Sequence, residues 1–321
     1  MACSDWICCG NFQCHTVASN GELGHVIGDG DTEHQVGNGV VAALCSFSSG
    51  WVVLFVIAIL VPAVRQAFFT IPKLVRNGSL KWWQCIGGMA GATYVIGQGT
   101  VVPVVGVAIF TISVVAGQTA SSLLVDKYGL GPAGPKAITW IRITAAVIAI
   151  AGVGISVTGR DHSGSFSLPL VLYAFATGLV TAAQYALNGR VAVATAQPLA
   201  TTLLNFTMGT FVLVVTLSFL VFAQGFAFPV IPSPLDKPWL WSGGIIGILF
   251  IVSASILVRS LGVLVFALVS VVGNLTGALL LDLIWPTPGT QVGFQIVLGV
   301  VVTAVAVIIA SLPSRQKVVA Q

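Results

Sequence analysis

The chain has 321 residues, of which 56% are hydrophobic and only 7% charged, with a net charge of +4 and a mean hydropathy of +1.01. A soluble domain carries about 25% charged residues, so this composition excludes a water-soluble globule and predicts an all-α, polytopic membrane protein. The basic residues cluster in a few connections, with no basic patch interleaved with aromatics, which fits membrane orientation and argues against nucleic-acid binding.

Residues 1–38 differ from the rest. MACSDWICCGNFQCHTVAS holds four of the six cysteines, Cys3, Cys8, Cys9 and Cys14, followed by His15. Their spacing fits no zinc pattern and no second ligand pair follows at finger distance, so no metal is expected. Neither a basic start nor an apolar core of about 7–15 residues marks a signal peptide. Asp5, Asn11, Gln13 and His15 make a spanning helix costly, since a central Asp alone costs about 2.5–3.5 kcal/mol on insertion scales. Residues 1–38 are therefore expected to be poorly ordered or to lie at the outer surface.

Apolar runs then follow, each near the roughly 20 residues a bilayer crossing needs. Val40–Val61 is closed by Pro62 and followed by a basic loop with Arg65, Lys73, Arg76 and Lys81. Trp82 and Trp83 suit a membrane interface. Ile86–Val125 has double length, and Gly97, Gln98 and Gly99 with Pro103 are expected to break it into two helices, with Gln98 structural in the turn. Ile138–Val157 is the next span. A polar linker at Gly159–Gly164 separates Leu168–Leu187, Leu199–Phe222, Trp239–Val258, Gly262–Ile284 and Val292–Leu312. The chain thus divides into an atypical segment at 1–38, a membrane repeat at 39–160, a second repeat at 165–313 and a tail at 314–321.

The two halves repeat at a shift of 156 (Trp83 to Trp239, 239 − 83 = 156). Gly87, Gly88 and Gly91 match Gly243, Gly244 and Gly247. Gly106, Phe110 and Asp126 match Gly262, Phe266 and Asp282, and Gly117-Gln118 matches Gly273-Asn274. Asn20-Gly21 matches Asn188-Gly189, although Asp29–Gly37 has no counterpart and the helix before Asn20 looks degenerate. A unit of five helices crosses an odd number of times, so its copy enters the membrane inverted, the arrangement of many transporters. In a ten-helix register with the C-terminus cytoplasmic, the inner connections hold Arg65, Lys73, Arg76, Lys81, Lys127, Lys136, Arg190, Arg259, Arg315 and Lys317, and the outer ones only Arg160 and Lys237. This is a strong positive-inside bias.

NGELG at Asn20, AGQTASSLLVDKYGL at Ala116–Leu130 and Arg142 resemble the drug/metabolite transporter superfamily, and within it the YdcZ-like inner-membrane exporters. QYALNGR at Gln184–Arg190 and GNLTGALLLD at Gly273–Asp282 carry the same resemblance in the second half. It covers roughly Asn20 to the end. It implies a bacterial inner membrane and two inverted five-helix repeats, with no substrate assigned.

Polar groups inside lipid-length helices usually face a protein interior or a water-filled path. Gln118 and Asn274 are candidate substrate contacts, with interhelical hydrogen bonding as the alternative. Gln184 and Asn188 share a helix face one turn apart, and Asn205 follows on the next helix. Asn188 reads equally as a helix cap before Gly189. Asp126 and Arg142 flank one short Gly/Pro turn and are expected to pair, with a coupling or gating role; Arg142 snorkelling to the interface is the alternative. These features favour a secondary transporter exporting a small metabolite or drug-like compound by alternating access. A non-transporting membrane scaffold is the alternative. An intramembrane enzyme is disfavoured because no HExxH motif and no paired aspartates within one half are present. No cofactor is implied. The expected partners are a small-molecule substrate and the lipid bilayer, with homo-oligomerisation left open.

Overall fold

The computed structural model describes residues 15–17, 19–27, 34–158, 167–284 and 294–311. Among the described residues every regular element is helical: α1 (residues 19–27), α2 (Gln35–Leu60), α3 (Pro62–Arg76), α4 (Gly87–Thr100), α5 (Val102–Lys127), α6 (Trp140–Thr158), α7 (Leu168–Thr195), α8 (Pro198–Gln224), α9 (Ser242–Leu261), α10 (Val263–Ile284) and α11 (Phe294–Ser311). Single 3₁₀ turns, Trp82–Ile86 and Pro238–Trp241, lead into α4 and α9. Gln35–Leu60, Trp82–Val105, Leu168–Thr195, Pro198–Gln224 and Pro238–Leu261 are long and apolar enough to cross a membrane. Trp140–Ile155, Val263–Asn274 and Val297–Ala310 are shorter apolar helices. The cysteine-rich residues 1–14, most of the acidic stretch 29–37, the linker and the tail lie outside the described residues, as does the side chain of Asp282.

Proline sets several boundaries. Pro62, Pro103, Pro169 and Pro198 stand in the first turns of α3, α5, α7 and α8, where a missing N–H costs nothing. The double-length run does divide, but at Val101. Gly97, Gln98 and Gly99 are helical in the last turn of α4, and Val101 keeps a helical conformation with its N–H on the Gly97 carbonyl. The break comes from Pro103, which offers no N–H to the Gly99 carbonyl four residues back.

Two expectations are corrected. The basic loop after Pro62 is helix α3. Val64 and Ile71 are buried and Phe68 and Val75 half-buried along its inner face, an apolar spacing that folds the segment against α7 and α8. The second correction concerns residues 1–38. Residues 15–17 are helical, and α1 packs inside the bundle with Asn20 and Leu23 buried. Two of its polar side chains find partners, which offsets part of the cost of burying them. Asn20 Nδ2 donates to Gln98 Oε1 at 2.7 Å, and Ser19 Oγ donates to the Trp239 carbonyl at 2.9 Å. Gly21 and Gly24 let α1 approach the end of α4 closely; a Cβ on Gly24 would stand 2.3 Å from the Gly99 carbonyl oxygen.

The halves interlock through duplicated contacts. A Cβ on Gly88 of α4 would meet the Asn205 carbonyl of α8 at 2.0 Å, and one on Gly244 of α9 the Ser46 carbonyl of α2 at 1.8 Å. Gly209 and Gly50 return the approach, facing the carbonyls of Gly88 and Gly244. Gly87 lies against Asn188 Oδ1, and its match Gly243 against Asn20 Oδ1. Thus α1 occupies, toward the second half, the place that α7 occupies toward the first. Close approach at small residues is how apolar helices associate where lipid supplies no hydrophobic drive.

Candidate functional site

The crossings of α1, α2, α4, α7, α8 and α9 leave a cavity between the halves. It encloses about 60 Å³, room for a few water molecules at about 10–15 Å³ each. Much of its wall comes in matched pairs. Gly91, Tyr94 and Val95 face it from α4, and their matches at the 156 shift, Gly247, Phe250 and Ile251, face it from α9. Ser46 and Phe47 of α2 are matched by Asn205 and Phe206 of α8 (205 − 46 = 159). Thr16, ahead of α1, is matched by Gln184 of α7 (184 − 16 = 168, the shift that relates Asn20 to Asn188). Phe47 and Phe206 meet across the junction with ring centroids 5.1 Å apart.

Two amide groups border this space. On one side Gln184 Nε2 reaches Asn205 Oδ1 at 3.5 Å, and Asn205 Nδ2 donates to Asn188 Oδ1 at 3.1 Å. On the other, Asn20 donates to Gln98. Asn20 Oδ1, Gln98 Nε2 and Asn188 Nδ2 are buried without a hydrogen-bond partner among the described residues. Such groups are costly unless something pairs with them. Among the described residues no charged side chain lines the cavity, and aromatic and aliphatic surface makes up most of the wall.

The structure therefore brings together three of the expected contacts, Gln184, Asn188 and Asn205. Asn188 is not a cap: α7 continues past it to Thr195. Gln118 and Asn274 are buried on α5 and α10 but stand apart from this cavity, and Gln118 Nε2 has no partner among the described residues. Sequence reasoning missed Asn20 and Ser46 as wall residues and Gln98 behind them. The signal was present, because the register that pairs Asn20 with Asn188 places it opposite Gly243 as Asn188 is opposite Gly87. Replacing Asn20 by Leu would remove the donor to Gln98 and leave the Gln98 side-chain oxygen unpaired as well as its nitrogen. The expected loss is about 1–3 kcal/mol, read as a lower melting temperature in detergent; an unchanged melt would show that the pair contributes nothing.

A second polar cluster sits where α5 ends. Asp126 is buried and pairs with Arg142 of α6, as expected from the short turn between them. Its carboxylate also accepts from the backbone N–H of Val263 at 2.8 Å and of Leu264 at 3.2 Å, so it caps α10 in the other half. Lys136, in the connection before α6, donates to the Leu261 carbonyl at 2.6 Å, at the end of α9. Carboxylate at a helix start and ammonium at a helix end both complement the helix dipoles. Gly262, between those two helices, has φ +81, a conformation that disfavours any residue with a side chain. Burial pushes the Lys136 ammonium below its usual pKa, opposed by the Asp126 carboxylate and reinforced by the Arg142 guanidinium. Arg190 of α7 donates to the Leu130 carbonyl at 2.7 Å, tying the same turn to the second half.

The comparisons with known proteins agree with this architecture. A solved crystal structure that is 15% identical overlays with a TM-score of 0.62, covering 95% of each chain, and so shares the fold. No curated protein sequence matches the chain. The profile of the family described as "Putative inner membrane exporter, YdcZ" matches twice, at residues 6–155 and 169–309. The first match begins at residue 6, ahead of α1. The two matches span most of the chain, which therefore belongs to the YdcZ family of drug/metabolite transporters and is a multi-pass membrane protein.

Proposed function

We propose that this protein is a secondary transporter that exports a small, uncharged, partly apolar solute through the cavity between its halves. The observation that supports this best is the largely pairwise wall: both halves contribute glycine, aromatic and polar residues, most of them at matched positions, to one cavity. Amide groups without internal partners suit a solute with hydrogen-bonding groups, and the Phe47, Tyr94, Phe206 and Phe250 surfaces suit an apolar body. In this reading the five-helix halves are inverted repeats that rock about the cavity in alternating access. The inner membrane is the site, with the C-terminus cytoplasmic, as the ten-to-two distribution of basic residues favours.

Gln184, Asn188 and Asn205, with Asn20, are the substrate contacts of this reading. Gln118 and Asn274 serve as contacts in a state of the cycle that opens toward α5 and α10. Asp126 and Arg142 form the gate, because their cluster ties the end of α5 to the start of α10 and must loosen if the halves rock.

Efflux from proteoliposomes, measured with a panel of neutral solutes, tests the proposal. Asn205→Leu and Gln184→Leu should each lower the flux of the preferred solute about 5- to 150-fold, the equivalent of about 1–3 kcal/mol for an unmet buried hydrogen bond. Equal flux in both variants and the parent would overturn the assignment of the cavity.

A further inference from the structure

The basic, outward side of α3 has no part in the cavity or the Asp126 cluster. Arg65, Phe69, Pro72 and Arg76 follow at spacings of four, three and four, so they form one stripe on the helix, with Lys73 beside it. All five are exposed, Phe69 at 68%, while Val64 and Ile71 anchor a neighbouring, buried face. Lys81 and Trp82, the latter 70% exposed, follow four residues after the helix ends. No Asp or Glu occurs between Glu33 and Asp126, and none of these cations makes an ion pair among the described residues. An exposed aromatic ring set within a row of cations is the composition of a helix lying in the membrane interface, with the ring at the acyl boundary and the charges at the phosphates.

We propose that α3 is an interfacial helix that binds the headgroups of acidic phospholipids and gives the protein a preference for an anionic bilayer. Arg65, Lys73 and Arg76 hold the phosphates, Lys81 extends the row, and Phe69 seats the helix at its depth. The charge complementarity is one-sided and uninterrupted by carboxylates, which selects a lipid anion over an acidic protein surface that would need a matched shape. The inner packing of α3 on Val191 of α7 and Leu204 of α8 fixes the row relative to the bundle, so bound lipid stabilises the folded chain.

The test extracts the full chain from bilayers containing equal amounts of phosphatidylglycerol and phosphatidylcholine and counts retained lipids by intact-protein mass spectrometry. The parent should retain phosphatidylglycerol over phosphatidylcholine by about tenfold or more, since each cation near a bilayer surface contributes several-fold. R65Q/K73Q/R76Q should retain the two at parity, and the charge-conserving R65K/K73R/R76K should keep the preference. A melting temperature that rises with phosphatidylglycerol content in the parent and stays flat in the glutamine variant is the second expected result. Parity in the parent, or a preference that survives in R65Q/K73Q/R76Q, would overturn the proposal. So would displacement of phosphatidylglycerol by equimolar inorganic phosphate, which would identify a free-anion site instead.

Discussion

Replacing Asp126 by Ala is expected to destabilise the protein by about 3–5 kcal/mol, the loss that follows removal of one partner from a buried ion pair. The Arg142 guanidinium would remain buried without its counter-ion, and the first N–H groups of α10 would lose their acceptor. The loss should appear as a strongly lowered melting temperature in neutral detergent. Asp126→Leu combined with Arg142→Leu should recover a large part of it, because apolar replacements of a buried pair leave no orphaned charge. Equal destabilisation by the single and double variants would show that capping α10, rather than the ion pair, is the main contribution of Asp126.

Substitution of Val at Gly244 or Gly88 should do comparable damage for a different reason. The first Cβ alone would lie 1.8 Å from the Ser46 carbonyl and 2.0 Å from the Asn205 carbonyl respectively. Both obstacles are backbone, so the helices must separate, and the walls of the cavity move with them. Overpacking of a close-packed core costs about 1–3 kcal/mol, and here it should exceed that range and abolish solute efflux. Gly154 of α6 gives the control, because a Cβ there meets nothing within 4 Å. Gly154→Ala should keep folded yield and flux. If Gly244→Val retained parental melting and flux, the interlock of α9 with α2 would not be what holds the cavity together.

Much of this arrangement is legible in the sequence. The glycines matched at Gly87, Gly88 and Gly91 and at Gly243, Gly244 and Gly247 are the crossing points of the two halves, and the Asp126–Arg142 pair follows from two opposite charges beside one turn. The parts that were not legible depend on long-range pairing. The partner of Asn20 is Gln98, 78 residues away, and nothing in the local sequence points to it. The helix of α3 was obscured by Pro72 and three basic residues, although Val64, Phe68, Ile71 and Val75 already gave it one apolar side. The wall of the cavity needed the register of the N-terminal segment, which hides behind the unmatched stretch Asp29–Gly37. Gln118 and Asn274 were singled out by depth and symmetry, which give no information on which side of the helix a group faces.

The exchange of glycine contacts between α4 and α8 and between α9 and α2 also sets the order of events during synthesis. When α2 and α4 leave the ribosome, the surfaces that will receive them have not been made. Gly50 and Gly88 then face lipid, and Gln98 has only the amide of Asn20 to satisfy it. The α2–α9 and α4–α8 crossings must wait until α8 and α9 have entered the bilayer, more than 100 residues later. The nascent chain therefore spends that interval with the small-residue faces of α2 and α4 uncovered and open to wrong neighbours. Slowing translation in the polar connection between the halves would lengthen this exposure, and it should lower the yield of folded protein without changing any contact in the finished molecule.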